Sequence, residues 1–467
     1  MRGRKVGVVL AVAALLATLP ATALAQAGRQ PCPPGTSPDP AGLLCVLLDK
    51  ATTGVNTRTQ QAAIASAVSA HESSWLGQAL ELQHRLGDAL PLRDAMWVGT
   101  HNSFNTVSTT PVSLSNLDHN QHISMVDQLR LGVRSLELDV HWFASVQAGG
   151  AKAPVVCHAR PPSELNAGCT IEQLLSAELA PIGAWLRQPE HRGDVVLLYV
   201  EDHIDEAAGY QAAAKALADV IGDLIYQPPA GSSCPLLPLD LRRADVLAAG
   251  KQIVVMSGCG GTNGAGAWQA TVFDDNVRAE EGNPEFSGYP SCSSSSVKAS
   301  DYGAALVRFY EDSTFVGAAS GVAPGQRFTA GAVRDMVRCG TNLFGLDQVD
   351  PFDPNLDAMV WSWAANEPST SATGTCAVQG STGRFRTQPC GTGLLQHACI
   401  DAAGAWFVTA AAGTADSGSS ACANERPGAK VAVPRSGKQQ QQLTEAKAAV
   451  AAVDVWVAYR SVGGTWG

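Results

Sequence analysis

Short apolar runs alternate with longer amphipathic stretches through the middle of the chain, from about residue 91 to residue 367. This alternation of strand-like and helix-like periods is typical of α/β folds. Eight strands are predicted, at residues 95–99, 134–140, 153–157, 194–200, 252–257, 304–309, 342–346 and 358–363. Helical patterns lie between several of them, for example at residues 171–187 and 211–226. The pattern therefore predicts a TIM-type (β/α)8 barrel.

The N-terminal end has a different pattern. Three of the first five residues are basic, residues 6–20 are almost continuously apolar, and Ala23-Leu24-Ala25 supplies a small–x–small sequence. These features predict a signal peptide at residues 1–25 and a secreted, extracellular protein. A membrane anchor is the alternative, but the short apolar run and the cleavage pattern favour the signal peptide.

The remaining segments are defined by their composition. We predict an N-terminal Cys/Ala-rich segment at residues 26–90, the barrel at 91–367, a Ser/Thr/Gly linker at 368–375 and a small Cys-rich accessory domain at 376–467. The twelve cysteines include no CxxC pair, so disulfides are expected and a zinc ribbon is disfavoured. Short loops favour the pairs Cys32–Cys45 and Cys157–Cys169. Four further cysteines would staple the accessory domain.

The formal net charge of -10 narrows the choice of partners. Nucleic-acid binding depends on a basic surface that displaces counterions, so this class of partner is excluded. Electrostatic docking on a strongly anionic membrane is also disfavoured, unless a bound cation offsets the charge locally.

Polar side chains follow the first four predicted strands. In chain order they are His101 and Asn102, then Glu137 and Asp139, then His158, then Glu201. Barrel enzymes place their active sites at the carboxyl ends of the strands, so we expect these side chains to meet at one end of the barrel.

Two of these acids predict a metal site. Glu137 and Asp139 share one face of a strand whose other face is apolar, so both would point into the barrel. Paired buried charges are unfavourable without a partner, and a divalent cation would supply one. Together with Asn102 and Glu201 they offer only oxygen donors, which suits calcium or magnesium and not zinc or copper. The mixed carboxylate and carbonyl donors favour Ca²⁺.

Two histidines, His101 and His158, would flank this cation. Cleavage of a phosphodiester by an internal hydroxyl needs one group to take a proton and another to donate one. A metal can neutralise the charge that grows on the phosphoryl oxygens. His141 and His203 lie close to the predicted ligands and could support them from outside.

Four motifs carry a family resemblance: GTHNSFN, GVRSLELDVHW, PVVCHA and VVLLYVED. In this order they resemble the catalytic barrel of phosphatidylinositol-specific phospholipases C, strongly over residues 91–205 and weakly over 250–367. The resemblance implies catalytic roles for His101 and His158. It also implies that the calcium ligands are Asn102, Glu137, Asp139 and Glu201. Metal-independent bacterial members place a basic residue where this chain has acids, so the calcium-dependent branch is the closer match.

The substrate is less closely defined by the sequence. The resemblance implies a phosphoric diester hydrolase or lyase that acts as a monomer on a phospholipid at a membrane surface, but the lysines that bind additional phosphates in eukaryotic members are not identifiable. Arg308 could bind a phosphate or sugar, or form a surface ion pair. A phosphodiesterase acting on glycerophosphodiesters or sphingolipid is one alternative, disfavoured because the former pattern has Arg after the first His. A non-enzymatic binding protein that uses the barrel as a scaffold is another.

Overall fold

A computed structural model describes residues 58–106, 119–158, 169–281, 286–313, 327–369 and 375–467. The signal peptide expected at residues 1–25 lies outside these ranges, as do Cys32 and Cys45. Within the described part of the chain, no helix is both long enough and apolar enough to cross a membrane.

The central strands form two sheets of mainly parallel strands. The strands are β1 (Ser135–Ala144), β2 (Lys152–Val156), β3 (Val196–His203), β4 (Ile253–Ser257), β5 (Val277–Glu281), β6 (Leu306–Tyr310) and β7 (Leu343–Gly345). The first sheet has the order β2-β1-β3-β4 and the second β5-β6-β7. All neighbours are parallel except β1 and β2.

Backbone bridges link the two sheets. Trp97 and Thr100 pair in parallel with Leu343 and Leu346 around β7, while Gly99 pairs with Ser135 at the start of β1. The segment 97–100 therefore lies between β7 and β1. Parallel pairing runs continuously from β4 through β3, β1, this segment, β7 and β6 to β5. The result is a TIM-barrel-like α/β fold, which agrees with the predicted class in its mainly parallel strands, whereas the described strands do not form the predicted closed ring of eight β/α units.

Two strand predictions need correction, and one strand was not predicted. The segment predicted at 153–157 forms β2, which pairs antiparallel with β1 as a hairpin because the connection is too short for a helical crossover. The segment predicted at 358–363 overlaps the end of a helix, Pro354–Met359, and forms no strand. The sequence analysis also missed β5, whose residues Val277–Glu281 are mostly charged.

Helices cover the sheets. In chain order the described α-helices are α1 (Arg58–Ser73), α2 (Trp75–Leu86), α3 (Met125–Arg130), α4 (Leu175–Leu186), α5 (Ala207–Ile221), α6 (Arg243–Ala248), α7 (Ala267–Thr271), α8 (Ala330–Cys339), α9 (Pro354–Met359), α10 (Gly418–Glu425) and α11 (Gly437–Ala449). Helix α8 shows how the sequence sets the bounds. Thr329 caps its first turn by accepting from the Ala332 amide, and Gly340 ends it at φ 95, a left-handed conformation that suits glycine.

The C-terminal strands form a separate sheet. They are β8 (Thr375–Gln379), β9 (Phe385–Pro389), β10 (Gln396–Ile400), β11 (Trp406–Val408), β12 (Lys430–Val431), β13 (Val455–Val462) and β14 (Thr465–Trp466). The sheet packs directly on the central part of the chain. The ring of Trp363, which is fully buried, lies 5.7 Å from that of Phe385 and 4.7 Å from that of Trp466. The two regions therefore share one hydrophobic core.

Five disulfides tie the described chain together: Cys157–Cys169, Cys234–Cys259, Cys292–Cys339, Cys376–Cys390 and Cys399–Cys422. The predicted pair Cys157–Cys169 is confirmed. The last two disulfides lie in the C-terminal sheet region, where four cysteines were expected to pair. Such a density of disulfides is typical of proteins that fold in an oxidising compartment.

The buried carboxyl group of Glu178 on α4 is expected to make the stability of the protein depend on pH. Burial, together with repulsion from the nearby Glu172, raises the pKa of Glu178 from 4.5 to about 7. Its folded pKa lies above the unfolded value, so the stability it contributes is complete below pH 4.5 and is lost as the pH rises through 7. Glu178→Gln should therefore raise the free energy of unfolding at pH 8 by on the order of 2–3 kcal/mol, but hardly change it at pH 4.

Urea unfolding of the full chain at both pH values measures this difference. Glu190→Gln is the control, because that carboxylate is exposed. Equal stabilisation by Glu178→Gln at both pH values would contradict the assignment.

Candidate active site

Neighbouring strands β1 and β3 carry a ladder of polar side chains. The parallel register places Asp139 beside Glu201 and His141 beside His203. Glu137 and Asp139 are both buried, with 2% and 4% exposure. Burial raises the pKa of each carboxyl group, and repulsion among the three acids adds to the shift for Asp139. The acids therefore lie together as the sequence pattern predicts, and the raised pKa values reflect the cost of holding their negative charges in one buried place.

Asn102 brings an amide to the same cluster. Its backbone has φ 45, a left-handed conformation that asparagine tolerates better than most residues. In this conformation its backbone amide donates to Glu137 Oε2 at 3.2 Å. Its side-chain oxygen lies 3.1 and 3.2 Å from the two carboxylate oxygens of Asp139. Three oxygen atoms, one of Asn102 and two of Asp139, therefore face one another with no hydrogen between them. A half-turn of the Asn102 side-chain amide would relieve this repulsion by turning its NH₂ group towards Asp139, and a bound cation would relieve it by binding all three oxygens.

The structure brings all four predicted metal ligands together. Asp139 and Glu201 also share a group of potential ligand atoms with His203, all within 4.8 Å of one another. This spacing suits a single cation, since donors on opposite sides of one are separated by about twice a bond of 2.3–2.6 Å. The residues present therefore fit a divalent cation. His203 adds a nitrogen donor to a set that the sequence analysis described as oxygen only.

Arg308 on β6 balances part of this charge. Its guanidinium donates to both oxygens of Glu137 at 2.7 Å, and it packs against the rings of Tyr199 and Tyr310 at 4.9 and 4.4 Å. Arg308 is only 7% exposed, so its ion pair is buried and is not the surface ion pair considered from the sequence. Glu137 is therefore already paired with a cationic side chain.

His101 is held by a carboxylate that the sequence analysis missed. Its Nδ1 lies 3.2 Å from Oδ1 of the fully buried Asp347. Burial of the ring disfavours the imidazolium, but Asp347 and Glu137 outweigh this and raise the pKa of His101 to about 9. Asp347 follows the predicted strand at residues 342–346, so the rule that polar side chains at strand ends gather at one site would have found it.

His158 is half-buried at the end of β2, and its Nδ1 lies 3.4 Å from the Asn105 side-chain nitrogen. That amide donates to Asn120, which in turn donates to Asp347. The two histidines predicted to be catalytic therefore stand at opposite ends of one chain of hydrogen-bonding groups.

The two histidines of the ladder lie next to the acidic cluster. The rings of His141 and His203 stack with centroids 4.6 Å apart. His203 Nε2 lies 3.5 Å from Glu201 Oε2, and this hydrogen bond lowers the pKa of Glu201 to about 2. His203 thus supports a predicted ligand directly, as the sequence suggested for this pair.

The fold and this arrangement of acids, imidazoles and a buried guanidinium define a class, the phospholipase C-like phosphodiesterases. Residues 55–353 match the family model described as the Rv2075c PI-PLC-like domain. The chain belongs to this family, and the resemblance to phosphatidylinositol-specific phospholipases C is confirmed.

Similar proteins extend over nearly the whole chain. The uncharacterized protein Rv2075c of Mycobacterium tuberculosis strain H37Rv is 36% identical over 469 residues, covering 93% of each chain. Among solved structures, phosphatidylinositol-specific phospholipase C from Listeria monocytogenes is 13% identical, with a TM-score of 0.37 over 58% of this chain and 95% of that one. A calcium-dependent phosphoinositol-specific phospholipase C from Pseudomonas sp. is 16% identical, with a TM-score of 0.32 over 56% of this chain and 91% of that one.

Proposed function

We propose that this protein is a secreted, calcium-dependent phosphodiesterase that cleaves the glycerol–phosphate bond of phosphatidylinositol-type lipids. The products would be diacylglycerol and a cyclic inositol phosphate. The observation that carries the proposal is the cluster of Asn102, Glu137, Asp139 and Glu201 beside His101, to which His158 is joined by side-chain contacts. Membership of the family supports the reaction class. The five described disulfides support secretion, because such bonds form in oxidising compartments.

Calcium would be held by Asn102, Asp139 and Glu201, with Glu137 as the fourth oxygen ligand. When bound, the cation would lower the pKa of the attacking hydroxyl and neutralise charge on the phosphoryl oxygens. Ligand atoms of Asp139, Glu201 and His203 lie within 4.8 Å of one another, and the Asn102 side-chain oxygen faces Asp139, which supports a cationic partner between them.

Arg308 would contribute a second positive charge. Its guanidinium is buried between two tyrosine rings and fixed by Glu137, so its orientation is set before substrate arrives. A preorganised charge stabilises a phosphoryl group more effectively than one that must first be ordered. We therefore propose that Arg308 faces the phosphate or the inositol ring.

The two histidines would divide the proton transfers. One imidazole takes the proton of the inositol 2-hydroxyl as its oxygen bonds to phosphorus, and the other gives a proton to the glycerol oxygen as its bond to phosphorus breaks. The internal hydroxyl is favoured over water because it is already held beside the phosphorus, which gives it a high effective molarity.

Phosphorus NMR of early time points with phosphatidylinositol vesicles tests this reaction. We expect a cyclic 1,2-phosphate as the first product, and no cleavage of a 2-deoxy-inositol analogue. Phosphatidic acid as the lipid product, or rapid cleavage of the analogue, would contradict the proposal. Preferred cleavage of glycerophosphodiesters or sphingomyelin would identify a different phosphodiesterase, and binding without cleavage of any of these would indicate a scaffold protein.

A further inference from the structure

Four side-chain contacts join His101 to His158. His101 Nδ1 lies 3.2 Å from Asp347 Oδ1, and the same oxygen accepts from Asn120 Nδ2 at 3.3 Å. Asn120 Oδ1 accepts from Asn105 Nδ2 at 2.7 Å, and that nitrogen lies 3.4 Å from His158 Nδ1. We call Asn105 and Asn120 the amide relay.

The direction of every bond in the amide relay follows from its charged end. Asp347 is paired with His101, and its other oxygen accepts from the Ser313 backbone amide at 2.6 Å, so the carboxylate only accepts. Asn120 must therefore turn its NH₂ group towards Asp347 and its oxygen towards Asn105. A half-turn of either amide would place two acceptors or two donors against each other.

This direction determines which nitrogen of His158 carries the proton. Because Asn105 must use its NH₂ group towards Asn120, the same NH₂ group faces His158 Nδ1. A donor facing Nδ1 requires a lone pair there, so the proton of the neutral ring resides on Nε2.

Backbone hydrogen bonds fix the positions of Asn105 and Asn120. The Asn120 amide donates to the Asn105 carbonyl at 3.1 Å, and the Asn120 carbonyl accepts from the Gln348 amide at 2.6 Å. Asn120 is fully buried and Asn105 is 8% exposed. The backbone therefore holds the two residues beside Asp347 and His158, and the side-chain hydrogen bonds described above set the orientation of their amide groups.

We propose that Asn105 and Asn120 are positioning residues that transmit the polarity of Asp347 to His158 and hold its neutral ring in the Nε2–H tautomer. His158 then presents a hydrogen-bond donor, not a lone pair, from Nε2. The kinetic consequence rests on the proposed function, whereas the tautomer is a property of the protein alone.

Nitrogen NMR of the full chain with ¹⁵N-labelled histidine tests the tautomer directly. The His158 signals are identified by their loss in His158→Gln, and spectra are recorded at a pH at which the ring is neutral. We expect the Nε2–H pattern in the wild type. Asn105→Asp replaces the donor by an acceptor of the same shape, so the proton should move to Nδ1.

Kinetics provide the second measurement. Asn105→Asp should lower kcat about 10- to 100-fold with little change in KM, as for other residues that orient an active group. Asn120→Leu removes the relay without adding charge and should give a mixture of tautomers, which tests the proposal even if the first variant does not fold. Asn263→Asp is the control, since this side chain is exposed and donates to the Asp205 carbonyl, away from the amide relay.

An Nδ1–H ring in the wild type, or an unchanged tautomer in both variants, would overturn the proposal. If the wild type cleaves no phosphodiester but shows the expected tautomers, only the proposed function fails.

Discussion

His101→Ala and His158→Ala are each expected to lower turnover of phosphatidylinositol by about 100-fold or more, the usual loss for a general acid or base. Neither imidazole is assigned as a metal ligand, so calcium affinity should change little. Because the two act in one proton-transfer sequence, the double variant should be much less impaired than the product of the two single effects predicts.

Single-turnover kinetics with a defined vesicle substrate, together with calcium titration, would measure both effects. His191→Ala is the matched control, because this half-buried ring stacks on Trp185 and contacts Asp194, and is not part of the site. Near-normal turnover in both single variants would require a different mechanism.

Removal of calcium is expected to abolish activity, and added calcium should restore it. Without the cation, the neighbouring acids Asp139 and Glu201 repel each other, which raises the pKa of Asp139, and no metal charge neutralises the phosphoryl oxygens. Asp139→Asn should weaken calcium binding measured by calorimetry by about tenfold or more, because it removes one full charge from the ligand set. Asp205→Asn provides an exposed control.

Full activity after verified metal removal would contradict the requirement for a cation. Restoration by manganese but not by calcium would contradict the choice of metal. Such a result would point to the nitrogen of His203 as a ligand, since an imidazole favours transition metals over calcium.

The sequence alone predicted the part of the site that depends on local patterns. Glu137 and Asp139 alternate with apolar residues along one strand, and this period determines the face on which they lie. Polar residues directly after apolar strands likewise identified His101 and Glu201. The structure brings these side chains together with Asn102.

Contacts between distant segments could not be predicted in this way. Arg308 and Glu137 are separated by 171 positions, so no local period relates them, and their pairing depends on how β6 and β1 face each other. β5 was missed because three of its five residues are charged, which interrupts the apolar run that identified the other strands. The segment at residues 153–157 was predicted as one of the barrel strands, and its short connection to β1 instead makes the two strands an antiparallel hairpin.

The shared core of the central and C-terminal sheets has a consequence for synthesis. Trp466, which packs on Trp363, lies far later in the chain than the central strands. A ribosome therefore makes the whole central region before this aromatic contact can form. Until then the Trp363 side of the nascent protein lacks part of its apolar cover, and such surfaces promote aggregation. Cells that make this protein must keep the chain from associating with its neighbours until the C-terminal sheet has folded.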